Sequence, residues 1–123
     1  MKLEDLEQFA DAWNRHDIDT LMSYMTEDCE FFIGSGESAS GDRFEGYAAV
    51  KKAFERVWKD LPDVAFRNAR HFLSGDRGCS EWTLVATHPN GSKIELDGCD
   101  LFTFVGDRIR IKNSYLKNRK RPD

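Results

Sequence analysis

The sequence predicts an α+β fold in which helices cover one face of a curved antiparallel sheet. Three observations carry this. Apolar residues recur at helical spacing through the first half. Beyond Leu61-Pro62 the pattern changes to β-branched and aromatic runs. The turns between those runs are too short for crossover helices, so consecutive strands are neighbours in a meander.

The elements follow in order. Leu3, Leu6, Phe9/Ala10 and Trp13 mark one face of a first helix. Asn14-Arg15-His16 breaks it, and Asp17 is a good N-cap for a second helix carrying Ile18, Leu21, Met22 and Met25. Cys29 to Ile33 is a short β-prone run. The Gly- and Ser-rich stretch from Gly34 to Asp42 reads as a flexible loop, long enough to be a lid or rim. Val50, Phe54, Val57 and Trp58 give the stripe of a third helix from about Tyr47 to Asp60, and Leu61-Pro62 ends it. Strands are expected over Val64–Leu73, Gly78–His88, Lys93–Val105 and Arg108–Leu116. The basic tail from Lys117 to Asp123 reads as a frayed, solvated terminus.

Length and composition narrow the function. The 123 residues amount to one domain, 1–123, able to bury a core without disulfides or metal. A net charge of −4 argues against nucleic acid as a partner, because neutralising phosphates needs a basic face. The acidic start, Met1-Lys2-Leu3-Glu4-Asp5, lacks a signal peptide's apolar stretch, and no apolar run is long enough to span a membrane. Three cysteines, Cys29, Cys79 and Cys99, have no ligand spacing. Reduced thiols, a cytoplasmic location, no metal and no cofactor are the expectations. No phosphate loop, dinucleotide fingerprint, His-Glu-x-x-His or nucleophile elbow is present.

Function must therefore be read from residues that the strand register brings together. Asn90-Gly91 between two strand-like runs is the signal for a two-residue hairpin. In that register Pro89 faces Ser92 and, counting back along both strands, Glu81 faces Asp100. Two like charges would then be opposed on a largely apolar face, which requires a shared proton, a cation or open water. Such a pair titrates together, with its first protonation above the range of isolated carboxyls. If Gly75-Asp76 is also a two-residue turn, Arg70 faces Glu81. The stripe Arg70–Glu81–Asp100, flanked by Thr83, is then a candidate acid–base site. Under the same register His71 faces the other way, as an outer-face residue. His16 and His88 are expected to be exposed.

Several segments, spread over nearly the whole chain, resemble the nuclear transport factor 2-like superfamily, and within it SnoaL-like proteins and relatives of ketosteroid isomerase. They are Phe9 to Asp19, Thr26-Glu27-Asp28-Cys29-Glu30-Phe31, Glu45-Gly46-Tyr47-Ala48-Ala49-Val50, and Gly98 to Phe104 running into Gly106-Asp107-Arg108-Ile109. The resemblance implies a cone-shaped fold around a cavity. It places Asp100 where ketosteroid isomerases keep a protonated Asp, but puts Phe9 at their Tyr position and Ile33 at their base. Steroid isomerisation by that route is not expected, whereas a buried acid in a cone is.

Trp13, Tyr24, Phe32, Phe54, Trp58, Thr83 and Phe102 are the candidate ligand-binding residues around Asp100, Glu81 and Arg70. Two classes of function follow. One is cofactor-independent acid–base catalysis, of isomerase, cyclase or hydrolase type, on a small apolar carbonyl-, enol- or epoxide-like compound. The other is a non-catalytic module that binds a ligand or a protein. Trp82, Cys99 and Leu101 are expected on the outer sheet face. They form an apolar patch suited to a homodimer through that convex face, the arrangement common in the resembled family.

Overall fold

A computed structural model describes residues 1–120; the last three positions of the basic tail lie outside the described residues. Three helices, α1 (Leu3–Arg15), α2 (Ile18–Ser23) and α3 (Tyr47–Asp60), lie against one face of a six-stranded sheet. Its strands are β1 (Met25–Phe32), β2 (Arg43–Glu45), β3 (Ala65–Ser74), β4 (Arg77–Thr87), β5 (Lys93–Val105) and β6 (Arg108–Leu116), in the order β2-β1-β6-β5-β4-β3. Among the described residues only the β1–β6 pairing is parallel. This is the expected α+β plan.

Local chemistry explains the element ends. His16 closes α1 in the left-handed region at φ 55°, and Asp17 Oδ1 accepts from the Thr20 amide at 3.1 Å to start α2. Met25 opens β1 instead of extending α2, so the second helix is shorter than its apolar spacing suggests. The long loop from Gly34 to Asp42 is folded back on itself. The Ile33 amide donates to the Asp42 carbonyl, and the Asp42 amide to that of Ser35. It then enters the short strand β2, which the sequence pattern did not announce. No helix among the described residues is long and apolar enough to cross a membrane.

The core lies between helices and sheet. Leu6, Phe9, Trp13, Phe54, Phe102 and Ile109 are all buried there, largely in edge-on aromatic contacts such as Trp13–Phe54 at 4.9 Å.

Two hairpins set which side chains face that core. The β3–β4 turn is Gly75-Asp76, with Ser74 opposite Arg77, and it places Arg70 opposite Glu81 as expected. The β4–β5 turn differs by one residue from the expected register. His88 and Ser92 face each other, and the Gly91 amide donates to the His88 carbonyl at 2.8 Å. Pro89-Asn90-Gly91 is thus a three-residue loop: a turn with Pro89 at its second position, then Gly91 at φ 88°. A two-residue type I′ loop needs positive φ at both central residues, and Asn90 does not adopt one. Ser80, not Glu81, therefore opposes Asp100, and Glu81 opposes Cys99.

Candidate functional site

That single-residue difference separates the two carboxylates. Asp100 points into the core and is 5% exposed, while Glu81 is exposed on the opposite face of the sheet. The expected Glu81–Asp100 pair is not formed, so proton sharing between the two has no geometric basis. Arg70 stays opposite Glu81 and shares its outward direction, in a surface row Arg70–Glu81–Cys99–Tyr115. Thr83 is on this outer face too, donating to Asp97 Oδ1 at 2.7 Å.

Asp100 has other partners. Its Oδ1 accepts from Lys112 Nζ at 2.9 Å and from Ser114 Oγ at 2.5 Å, and its Oδ2 accepts from the Trp82 indole N–H at 3.1 Å. Trp82 is thus on the inner face, against the expectation that it faces outward. Its reach depends on Gly98, its partner across the strands. A Cβ there would lie 2.7 Å from the indole ring and 2.4 Å from the Tyr115 carbonyl. Lys112 is as buried as Asp100, at 4% exposure. Its ammonium also donates to Ser114 Oγ at 3.0 Å and lies over the rings of Phe31 and Trp13, 4.6 and 5.2 Å from their centroids. Two of its three N–H bonds are accounted for by these acceptors.

This cluster forms one end of a cavity of about 370 Å³. Lys112 and Ser114 line it, with Trp13, Phe31, Phe44, Phe66 and Trp82 as walls. Gly34, Ser35 and Asp42 contribute to its boundary, so the Gly- and Ser-rich loop is a rim, and Arg56 and Asp60 of α3 stand there with it. Asp100 itself does not border this space. It borders a second, much smaller void of about 20 Å³, together with Ser80, Trp13 and Phe102.

The expected ligand-binding aromatics divide accordingly. Trp13 lines the cavity beside Lys112, and Phe102 only the small void. Phe54 is fully buried beside Trp13 and Phe31. Trp58 packs on Trp13 from outside the cavity and stacks on His16, which is half-buried instead of exposed. Tyr24 donates to Gln8 Oε1 at 2.9 Å, away from the cavity. Phe32 is on the outer face; the neighbouring Phe31 takes the inward position. His71 is inward as well, with its Nδ1 2.7 Å from Ser80 Oγ, the reverse of the expectation.

The sequence pattern missed Lys112 because of a bulge. Arg108, Arg110 and Lys112 alternate with Ile109 and Ile111, so they read as one solvated face. Pairing shifts between Thr103↔Ile111 and Phe104↔Ile109, leaving Arg110 as the extra residue. Beyond it the parity reverses, and Lys112 turns inward. Thiol chemistry does not compete for the site: burial pushes the Cys79 thiol up to about 12 and that of Cys29 up to about 11.

Comparison with known proteins agrees with the fold. Residues 6–111 match the SnoaL-like domain family. No curated protein matches the chain. Among solved structures it is similar to a putative polyketide cyclase from Xanthomonas campestris pv. campestris, with a TM-score of 0.80, 20% identity, and coverage of 91% of this chain and 87% of that one. It is similar to TerC co-crystallised with polyporic acid, with a TM-score of 0.79, 21% identity, and coverage of 94% and 90%. A third is a hypothetical protein with a ketosteroid isomerase-like fold from Catenulispora acidiphila DSM 44928 in complex with trimethylamine. Its TM-score is 0.79, with 16% identity and coverage of 94% and 86%.

Proposed function

The chain belongs to the SnoaL-like domain family, and from its cavity we propose that it binds a compact, mostly apolar compound carrying a carbonyl or enol oxygen and moves a proton on it. One observation carries this reading: a buried ammonium, Lys112, stands at the end of an aromatic cavity with one N–H unspent. A hydrogen bond from that N–H to a ligand oxygen strengthens as negative charge develops there, which is how preorganised donors favour enolisation. Ser114 lines the same space and already donates to Asp100. A proton leaving the ligand carbon can pass to Ser114 Oγ as the serine's own proton passes to Asp100. Cyclase and isomerase chemistry both need such a step. The likeness to a putative polyketide cyclase and to a protein crystallised with polyporic acid supports this class of reaction.

Acetophenone tests the reading. Its carbonyl stretching frequency should fall when it binds, and the protein should accelerate deuterium exchange at its methyl group. Both effects should vanish in Lys112→Met/Asp100→Asn, a neutral pair that keeps the cavity. No binding, or an unchanged frequency, would count against it. Frequency change without exchange would favour the non-catalytic reading. That reading has its own support, since Asp100 does not border the ligand space.

The outer face supports a homodimer. Phe72 and Tyr115 are 55% and 52% exposed there, beside half-buried Cys99 and Leu101. Light scattering at micromolar concentration should give twice the chain mass, and Tyr115→Glu should return it to the monomer value.

A further inference from the structure

We propose that His71, Ser80, Asp100 and Ser114 form a proton-conducting row that joins solvent to the Lys112 end of the cavity from behind, completed by one water held between Ser80 and Asp100. The role of Asp100 rests on the function proposed above; the row itself does not.

The register makes the row. His71 opposes Ser80, Ser80 opposes Asp100, and Asp100 opposes Ser114, so four polar side chains cross β3, β4, β5 and β6 in one line on the inner face. Trp82 flanks the row on one side and Phe102 on the other. A buried hydroxyl costs free energy unless it is hydrogen-bonded, so polar residues collected in one line call for an explanation that core packing does not supply. Two of the three links are direct: His71 Nδ1 to Ser80 Oγ at 2.7 Å, and Ser114 Oγ to Asp100 Oδ1 at 2.5 Å. The third, Ser80 to Asp100, is where the void of about 20 Å³ lies, and both residues line it. That volume suits one water, which needs at least two polar partners. Ser80 and Asp100 supply two. Trp13 lines the same void, and its buried indole N–H has no protein partner.

The row ends in half-exposed His71. Inward, a proton leaves the imidazolium Nδ1 for Ser80 Oγ, the serine proton passes to the water, and a water proton reaches Asp100 Oδ2. Each hydroxyl gives one proton and receives one, and no bond between heavy atoms changes. Solvent re-protonates the imidazole once the ring turns its free nitrogen outward. The reverse sequence lets Asp100 discard a proton while a ligand fills the cavity beside Lys112. Glu7 of α1 and Ser80 of β4 are the groups that act on His71. Burial moves the imidazole below its ordinary value of 6.5, with Glu7 opposing.

Nitrogen-15 NMR of the whole chain tests the row without knowledge of the substrate. The Trp82 indole reports on Asp100, to which it donates. In the wild type its resonance should inflect at the midpoint of the His71 ring signals, and the Trp13 indole proton should show cross-relaxation with a long-lived water. Ser80→Ala should abolish both while His71 still titrates, and Ser80→Thr should restore them. A Trp82 inflection that survives Ser80→Ala would show coupling through space alone and overturn the row. So would a wild-type Trp13 indole without water contact, a result that decides the matter even if Ser80→Ala does not fold. A silent row beside an intact acetophenone shift would remove this inference and leave the proposed function standing.

Discussion

Two rows of side chains cross the same four strands one residue apart, and they behave as opposites. On the outer face, Arg70, Glu81, Cys99 and Tyr115 stand side by side, and Glu81 is in water. On the inner face, His71, Ser80, Asp100 and Ser114 occupy the same strands under a layer of helices. Each row holds one acid. The outer acid has solvent as its partner. The inner one has three protein donors, and every one of them is needed, because a carboxylate removed from water must have its acceptor positions filled. Residue type is therefore a poor guide to chemistry here, and which face the residue occupies is the better one.

The largest effect should come from breaking the inner ion pair. Asp100→Asn leaves Lys112 buried without a counter-charge, and removing one partner of such a pair costs about 3–5 kcal/mol. Urea unfolding should register that loss. Replacing both members, as in Asp100→Leu/Lys112→Met, should restore most of it, because buried pairs contribute little net stability over apolar substitutes. A double variant no more stable than Asp100→Asn would mean that the surrounding serines and Trp82 hold the pair as a unit.

Trp82→Phe should come next. It keeps most of the ring contact with Phe66, 4.9 Å away, but removes one hydrogen bond to a charged acceptor, for about 1.5–3 kcal/mol. A loss below 0.5 kcal/mol would mean that water replaces the indole N–H at Asp100 and that the inner row is wetter than its burial indicates.

The fold and its element order were legible because periodicity and turn residues report on local backbone, and these act over a few positions. The site was less legible because facing depends on parity, and single bulges or loop residues invert it. Gly75-Asp76 and Asn90-Gly91 look alike in sequence. The difference is Pro89, whose fixed φ suits the second position of an ordinary turn and moves the loop to three residues. Asp100 was found, yet with the wrong partner. Lys112 was hidden by the bulge at Arg110. Asn68, at φ 58°, marks a similar irregularity in β3 between Arg67 and Arg70. No local signal in the sequence announced either one.

The turn itself offers a smaller test. Gly91→Ala meets no neighbour within 4 Å, so its only penalty is the left-handed backbone at φ 88°, about 1 kcal/mol. Chemical denaturation should show that loss with no change in acetophenone binding. A larger loss would mean that the turn helps to hold the β4–β5 register, which the buried inner face should fix unaided.

The smallest effect should come from the outer acid. Glu81→Gln removes a charge that solvent already stabilises, and no ion pair to Arg70 forms within 4.0 Å among the described residues. Substitutions at such surface positions stay within about 0.5 kcal/mol. The acetophenone carbonyl frequency should not move, because the sheet separates Glu81 from the cavity. Measured beside Asp100→Asn in one urea series, the two variants should differ by several kcal/mol although each exchanges a carboxylate for its amide. If Glu81→Gln proved as damaging as Asp100→Asn, the outer row would have to be buried in the working protein, as the convex-face dimer would make it. Repeating the series on Tyr115→Glu, the monomer-directed variant, would then separate the two explanations. A penalty that disappears in the monomer belongs to the interface, and one that persists belongs to the sheet.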